Sequence, residues 1–212
     1  MSMTSSAVLA RRPRLSAASR RRQLLDVALL TFARTGLDAT TMDDIAREAG
    51  VTKPLLYQHF KSKRALFLEL LDDVVVQIIS ALTMAAESTA GPRQQVEAVC
   101  QAYFVFMVHN EFAIRLLLDG TLPYDPELAE AMRRVDDTIA GALRPLIQAD
   151  IDPEHQRVLA AAVVGIAKGV TRDWLHSHSE RSSSGSLDAD AELLARRVAE
   201  FAWAGLRLVH RD

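Results

Sequence analysis

The chain is poor in several features that would assign it to a class of protein at once. Its 212 residues include one cysteine, Cys100, so no intramolecular disulfide can form, which is typical of a reducing compartment. The longest apolar run without a charge, residues 158–167, is too short to span a bilayer. The N-terminus carries arginines but not the apolar segment of a signal peptide. We therefore expect a cytoplasmic protein with no membrane anchor.

The sequence also lacks the common motifs of enzymes and metal sites. It contains no Gly-rich phosphate loop and no nucleophile motif. His176 and His178 are two positions apart, so on a helix they point in different directions. His155 and His210 have no metal-type spacing, and Cys100 lies in an apolar stripe that suits an inert core thiol. We expect no catalytic residue, no metal site and no cofactor.

The charge is divided unevenly along the chain. Residues 1–65 hold twelve Lys/Arg and five Asp/Glu, whereas residues 66–212 hold thirteen and twenty-two. A basic head on an acidic body indicates that one end of the protein meets a polyanion and the other does not. Taken alone, the arginines of residues 11–22 would indicate no more than a solvated basic tail.

Apolar residues recur with the 3.6-residue period of helices, and no strand alternation persists, so we expect an all-α fold. Residues 1–15 are expected to form a disordered basic arm. A first helix from about Ser19 to Thr35 precedes two short helices, which begin after Thr41 and Thr52, and Ser62 caps a long fourth helix. After residue 90 the pattern predicts five further helices, approximately 92–109, 111–118, 125–149, 153–178 and 189–209.

Two short helices joined at Gly50 and braced by longer ones predict a helix-turn-helix. The side chains expected to be buried are those of Val51, Leu56 and Phe60. Those expected to face outward are Thr52, Lys53, Tyr57, Gln58 and His59. A second helix of this size fits the major groove of DNA, with its N-terminal residues against base edges. The alternative is an ordinary helical corner, which the exposed tyrosine, the basic charge and the two caps argue against.

The stretch TTMDDIAREAGVTKPLLYQHFKSKRAL, residues 40–66, resembles the DNA-binding signature of TetR-type transcriptional regulators. The matching features are IAREAGV, LYQHF and KSKRAL, and the resemblance covers residues 20–66. Beyond them only the helical pattern and the overall length agree. The resemblance implies an N-terminal three-helix DNA-binding domain over residues 16–65. It also implies a C-terminal helical effector-binding and dimerisation domain over residues 66–212.

The resemblance assigns DNA-binding roles by position. The residues that correspond to phosphate-positioning residues of the family are Thr41, Tyr57, His59 and Lys63. Those that correspond to base-facing residues are Thr52, Lys53, Pro54 and Gln58. Leu55 departs from the small or polar residue often found at its position, and its side chain could touch a thymine methyl group. Arg11, Arg12 and Arg14 could enter an adjacent minor groove, or form a solubilising tail.

The last two predicted helices, residues 153–178 and 189–209, are each apolar on more than one side. On the first, large apolar residues form one stripe (Leu159, Val163, Ile166, Val170, Trp174) and small residues another (Ala161, Gly165, Gly169). On the second, the two faces are Leu194, Val198, Phe201, Leu208 and Ala195, Ala199, Ala202, Leu206. A surface helix needs one apolar stripe. The resemblance implies a homodimer built on these helices as a four-helix bundle; burial within one protomer is the alternative.

Aromatic residues and methionines are concentrated in the middle helices. They could line an apolar pocket with a few polar groups, although core packing is the alternative for each. Because the family commonly binds a small effector here, the resemblance implies a ligand site. The predicted ligand-binding residues are Tyr103, Met107, Phe112, Arg115 and Trp174.

These observations together predict a dimeric, ligand-responsive transcriptional repressor that binds a palindromic double-stranded DNA operator and is not an enzyme. The predicted effector is a small, largely apolar molecule. Two alternatives remain open at this point. One is a helical DNA-binding regulator without a small effector, and the other is a small-molecule-binding helical protein whose DNA-binding head is vestigial.

Overall fold

The computed structural model of the protein describes residues 16–118, 126–147, 151–179 and 186–209. Within these ranges the chain forms α-helices and one short 3₁₀ turn and has no β-strand, which confirms the all-α prediction. The helices are α1 (Ala17–Thr35), α2 (Met42–Glu48), α3 (Lys53–His59), α4 (Lys63–Glu87), α5 (Pro92–His109), α6 (Glu111–Leu118), α7 (Pro126–Leu143), α8 (Pro153–Ser179) and α9 (Leu187–Val209). The predicted basic arm, residues 1–15, lies outside the described residues.

The predicted helix boundaries agree with the observed ones to within two residues, except at the end of α7. The predicted helix 125–149 is too long, because α7 ends at Leu143 and a 3₁₀ turn, Arg144–Leu146, follows. Pro145 lacks a backbone N–H and its ring crowds the preceding turn, so the α-helix cannot continue through it. The 3₁₀ turn therefore closes α7 and redirects the chain towards α8.

The turn between α2 and α3 has the geometry of a helix-turn-helix. Thr41 and Asp44 form a reciprocal capping box at the start of α2. At its other end the amide of Gly50 donates to Arg47 and that of Val51 to Ala46, which is a Schellman motif. Gly50 has a φ of 63°, a conformation that favours glycine. Thr52 occupies the N-cap position of α3 as predicted. Its side chain makes no capping hydrogen bond, so the expectation that it caps the helix was wrong.

The head formed by α1, α2 and α3 packs on the first half of α4. The rings of Phe32 and Phe67 meet edge to face with centroids 5.8 Å apart, and both are buried. Leu56 of α3 and Ile45 of α2 are fully buried against the same core. Leu56 and Phe60 are buried as predicted, whereas Val51 is only partly buried.

The remaining helices form the body around the second half of α4. Helix α9 packs along α5, α5 packs on α4, and α7 lies between α4 and α8. Helix α6 contacts α1 and α8, so it bridges the head and the body. The core is continuous from the head to the body because α4 contributes buried residues along its whole length, from Leu66 to Ala86.

No helix in the described parts of the chain is long and apolar enough to cross a membrane.

Candidate functional site: the helix-turn-helix surface and an apolar cavity

Helix α3 presents a polar surface to solvent. Five of the residues predicted to contact DNA are exposed on it, namely Thr52, Lys53, Pro54, Tyr57 and Gln58. Tyr57 is 43% exposed, which is a large exposed fraction for an aromatic side chain. His59 is half-buried and Thr41 is exposed at the start of α2. Five of the eight predicted residues therefore lie on one exposed surface of α3.

Arg21 of α1 holds the end of α3 in place. Its guanidinium donates to the carbonyl oxygen of His59 at 2.7 Å and lies 4.5 Å from the ring centroid of Phe60. The same group makes a bidentate ion pair with Glu69 of α4, with Nε 2.6 Å from Oε1. Sequence reasoning missed this residue, because within the run SRRRQ it resembles the other arginines of a basic segment.

Lys63, the first residue of α4, binds the loop between α1 and α2. Its ammonium group donates to the carbonyl oxygens of Leu37, Asp38 and Thr40 at 2.7, 3.1 and 2.8 Å. These three bonds use all three hydrogens of the ammonium group, but carbonyl oxygens do not neutralise its charge. Lys63 thus positions the loop that leads to Thr41 while keeping a positive charge beside it.

Lys53, at the start of α3, is paired with a neighbouring carboxylate. Its Nζ lies 2.8 Å from Oδ1 of Asp43 on α2, and the hydrogen bond to Asp43 raises the pKa of Lys53 above its usual value. Both side chains are more than half exposed, so the pair is weak and either partner can be exchanged. Contact between Lys53 and DNA would require Asp43 to release it.

The body contains an apolar cavity enclosed by α4, α5, α6, α7, α8 and α9. The volume that solvent could occupy in this cavity is about 60 Å³, and the cavity is partly open to the surface. The apolar lining residues include Ile78 and Leu82 of α4, Val99 and Phe104 of α5, and Ile114 of α6. A second apolar space adjoins it, since Val99, Cys100, Leu143 and Val163 line both. The apolar lining suits an apolar ligand, and the cavity would have to widen to admit one.

Two charged residues lie in the wall of this cavity. Nζ of Lys168 on α8 is 2.7 Å from each carboxylate oxygen of Asp136 on α7. Close to them the hydroxyl of Tyr103 lies 3.1 Å from that of Thr171, which itself donates to the carbonyl of Ala167. Burial raises the pKa of Tyr103 to about 12, so its hydroxyl is neutral at physiological pH. The cavity thus has one polar patch in an otherwise apolar wall.

The predicted ligand-binding residues only partly coincide with this cavity. Tyr103 lines it, whereas the buried side chains of Met107 and Trp174 do not, and Arg115 is held by Glu111 within α6 with Nε 2.8 Å from Oε1. The side chain of Phe112 lies outside the described residues. The lining is mainly aliphatic, and the side chains of Met107 and Trp174 fill space in the core instead of enclosing the cavity.

The cavity is connected to the DNA-facing end through α4. Lys63 begins this helix beside the α1–α2 loop, and Ile78 and Leu82 of the same helix line the cavity. At 1.5 Å per residue, Lys63 and Ile78 are roughly 22 Å apart along the helix axis. A single rigid element therefore touches both candidate sites.

A metal centre is not formed by the side chains that the structure describes, since no three His, Cys, Asp or Glu residues among them are grouped closely enough to hold an ion. The thiol of Cys100 is buried, and burial raises its pKa to about 12. A nucleophile with so high a pKa stays protonated at physiological pH.

Comparison with known proteins agrees with this geometry. The sequence profile of a family described as bacterial regulatory proteins, tetR family, matches residues 24–70, which span the helix-turn-helix. The chain is 32% identical to the HTH-type transcriptional activator FasR of Mycolicibacterium smegmatis over 91% of its own length and 85% of that protein. It is 35% identical to the HTH-type transcriptional repressor KstR2 of Mycobacterium tuberculosis over 101 residues, 48% of this chain and half of that protein.

A solved structure of similar fold is that of the transcriptional regulator FadR from Bacillus subtilis in complex with stearoyl-CoA. It superposes with a TM-score of 0.74 at 16% sequence identity, over 87% of this chain and 98% of that chain. At this identity the likeness concerns the fold alone. The relatives named above are transcriptional regulators and not enzymes, and FasR is similar over nearly the whole chain. The chain belongs to the TetR family of transcriptional regulators.

Proposed function

We propose that the protein is a dimeric transcriptional repressor that binds a palindromic operator and is released from it by a small, largely apolar ligand. The observation that carries this proposal is the course of α4, which begins beside the α3 surface and lines the cavity through Ile78 and Leu82. Binding to chromosomal DNA would place its action in the cytoplasm. Activation is a second candidate because FasR is named an activator, and the two differ in where the operator lies relative to the promoter.

The α3 surface supports the DNA-binding part of the proposal. Thr52, Lys53 and Pro54 lie at the N-terminus of an exposed helix, where base edges are read in the major groove, and Gln58 is exposed one turn after Pro54. Thr41, Tyr57, His59 and Lys63 surround it, as suits residues that contact phosphates and set the register. The hydrogen bond from Arg21 to the carbonyl of His59 holds the end of α3, so these contacts would need no rotation of the helix.

The surfaces of α8 and α9 support the dimer. Ala161, Gly165 and Gly169 are exposed, one turn apart on α8, and a Cβ atom added at either glycine would meet nothing within 4 Å. On α9, 65% of Phe201 is exposed, which is a large apolar surface to leave in water. The described residues of one protomer cover neither feature. A second copy that meets these helices would cover both, through residues 153–178 and 189–209.

The cavity supports regulation by a ligand. Its apolar walls suit an aliphatic molecule, and the similar FadR structure contains stearoyl-CoA, whose acyl chain has that character. A ligand changes the operator affinity only if it binds one arrangement of the heads more tightly than the other, and such coupling is typically about 1–3 kcal/mol. Because α4 and α7 both line the cavity, a ligand there could favour one placement of the heads.

The proposal is tested by the reciprocity of the two binding events. Operator DNA, isolated by selection from a random pool, is titrated with protein in the presence and absence of a long-chain ligand. The ligand is then titrated calorimetrically with and without operator. We expect the ligand to weaken DNA binding and the operator to weaken ligand binding by the same factor. Equal ligand affinity in both titrations would contradict induction and leave a constitutive DNA-binding regulator.

A further inference from the structure

We propose that the cavity binds a long-chain carboxylate, with its head group at Lys168 and its chain directed towards Ile147 and Ala160. This inference rests on the proposed ligand-responsive function and specifies the chemical class of the ligand. It follows from the ion pair of Lys168 and Asp136 in the cavity wall, from the unequal exposure of these two side chains, and from the position of the adjoining apolar space.

Lys168 and Asp136 are the two ionisable side chains of opposite charge in a wall made mostly of aliphatic groups. Their side chains are 24% and 41% exposed, so both are partly removed from water. An ion pair in such surroundings costs desolvation energy that well-packed apolar side chains would not. Packing does not require the pair of Lys168 and Asp136, and the pair lines the space where a ligand would lie. It is therefore suited to recognising a charged head group.

The unequal exposure indicates the charge of that head group. When a ligand carboxylate reaches Lys168, the more exposed Asp136 can turn to water and remain solvated. A cationic ligand that took Asp136 would instead leave the more buried Lys168 without a counter-charge, which costs more. The hydroxyl of Thr171 donates its hydrogen to the carbonyl oxygen of Ala167, so in its bond with Tyr103 it is the acceptor. The hydroxyl hydrogen of Tyr103 is therefore already used, and Tyr103 is not an alternative donor to the ligand. Lys168 is therefore the donor that an anionic head group would meet.

The helices around the cavity show where the chain of the ligand would extend. The adjoining apolar space is lined by residues that precede the polar patch on α5 and α8, and by residues that follow α7, among them Val96, Ala160 and Ile147. None of the described residues that line it is charged. Lys168 and Ala160 are eight residues apart on α8, which is roughly 12 Å. The polar patch and the apolar end are thus arranged as the head and the tail of a fatty acid.

The test compares four probes with the same chain: laurate, 1-dodecanol, dodecylamine and lauroyl-CoA, each below its micellar concentration. Binding to the full-length protein is measured by calorimetry. We expect laurate to bind at least about tenfold more tightly than the alcohol or the amine, as for a hydrogen bond between charged groups. Lys168→Met should remove this preference, and Asp136→Asn should strengthen laurate binding. Arg133→Met, which removes an exposed cation one turn earlier on α7, is the matched control and should change neither.

Three results would overturn the inference. The first is a preference for dodecylamine that Asp136→Asn abolishes, which would reverse the charge of the head group. The second is binding of lauroyl-CoA without binding of laurate, and the third is binding of none of the probes. Release of the operator is measured in parallel. Laurate that binds through Lys168 but leaves operator affinity unchanged would support the site assignment and contradict the proposed induction instead.

Discussion

The guanidinium of Arg64, in the first turn of α4, lies 2.6 Å from the carboxylate of Glu127, in the first turn of α7. This ion pair joins the end of α4 that carries Lys63 to a helix that lines the cavity through Met132, Val135 and Ile139. It is a second connection between the two candidate sites, beside α4 itself. A displacement of α7 by a ligand would therefore act on α4 at its DNA-facing end.

Glu127→Gln should weaken the coupling between the two sites. The side chains are 38% and 67% exposed, so the pair is worth at most about 1 kcal/mol, and the ratio of operator affinities with and without laurate should change by no more than about fivefold. Operator titrations at low and high salt measure this ratio, and high salt should erase the difference between the variant and the wild type. Glu130→Gln, which removes a pair made within α7, is the control. An equal change in both variants would contradict a specific role for Glu127.

Lys63→Met should weaken DNA binding to all sequences alike. The three carbonyl oxygens around Lys63 do not neutralise its charge, so the loss of this charge beside a phosphate should reduce the salt slope by about one unit. Operator affinity measured between low and high salt gives the slope. Arg133→Met, on the surface of the body, should leave the slope unchanged. If Lys63→Met changed base preference and not the slope, the phosphate role would be contradicted.

Gly165→Arg should convert the proposed dimer into monomers. A Cβ atom at Gly165 meets nothing within 4 Å in the protomer, so the substitution should not disturb the fold of one chain. In the proposed dimer, however, where α8 would pack closely on the second copy, the arginine would place a long charged side chain in the interface. Operator affinity should collapse with it, because two α3 helices about 34–36 Å apart must bind together. Sedimentation measures the mass.

Gly141→Arg is the matched control for this prediction. Gly141 is also helical and exposed, and it has the same free space around it, but it lies on α7. This variant should remain dimeric and bind DNA. A wild-type protein that is monomeric and still binds the operator tightly would contradict the proposed assembly.

Cys100 should react slowly with thiol reagents at pH 8 in the folded protein. Burial raises its pKa to about 12, and only the thiolate is reactive. The unfolded chain, whose thiol titrates near about 8.5, should react rapidly. Because burial raises the pKa of the thiol, its contribution to stability is fully present below about pH 8.5, the pKa in the unfolded chain, and is lost as the pH rises towards 12. Rapid labelling of the native protein at pH 8 would contradict the burial of Cys100 in the cavity wall.

The helices were predictable because local signals mark their ends. The capping box of Thr41 and Asp44, the turn at Gly50 and the cap at Ser62 each act within a few residues, and the structure has all three. The end of α7 was missed because the apolar period continues through Pro145, although its ring cannot remain in an α-helix.

The details of the candidate site were less predictable because they join distant parts of the chain. The partners Arg21 and Glu69 are 48 residues apart, and Lys168 and Asp136 are 32 apart. Nothing local in the sequence distinguishes these charges from others on helix surfaces. The cavity depends equally on how six helices pack, so its aliphatic lining could not be separated from the core by composition.

The most direct test of the central claim, that α3 reads DNA, is selection of bound sites from a random DNA pool by the wild type and by Gln58→Ala. We predict that the wild type enriches a two-fold symmetric site. The variant should lose discrimination, by about 1–3 kcal/mol, at one symmetric pair of positions. Gln101→Ala, an exposed glutamine on α5, should enrich the wild-type site. No enriched sequence, or identical preferences for the wild type and Gln58→Ala, would contradict the account.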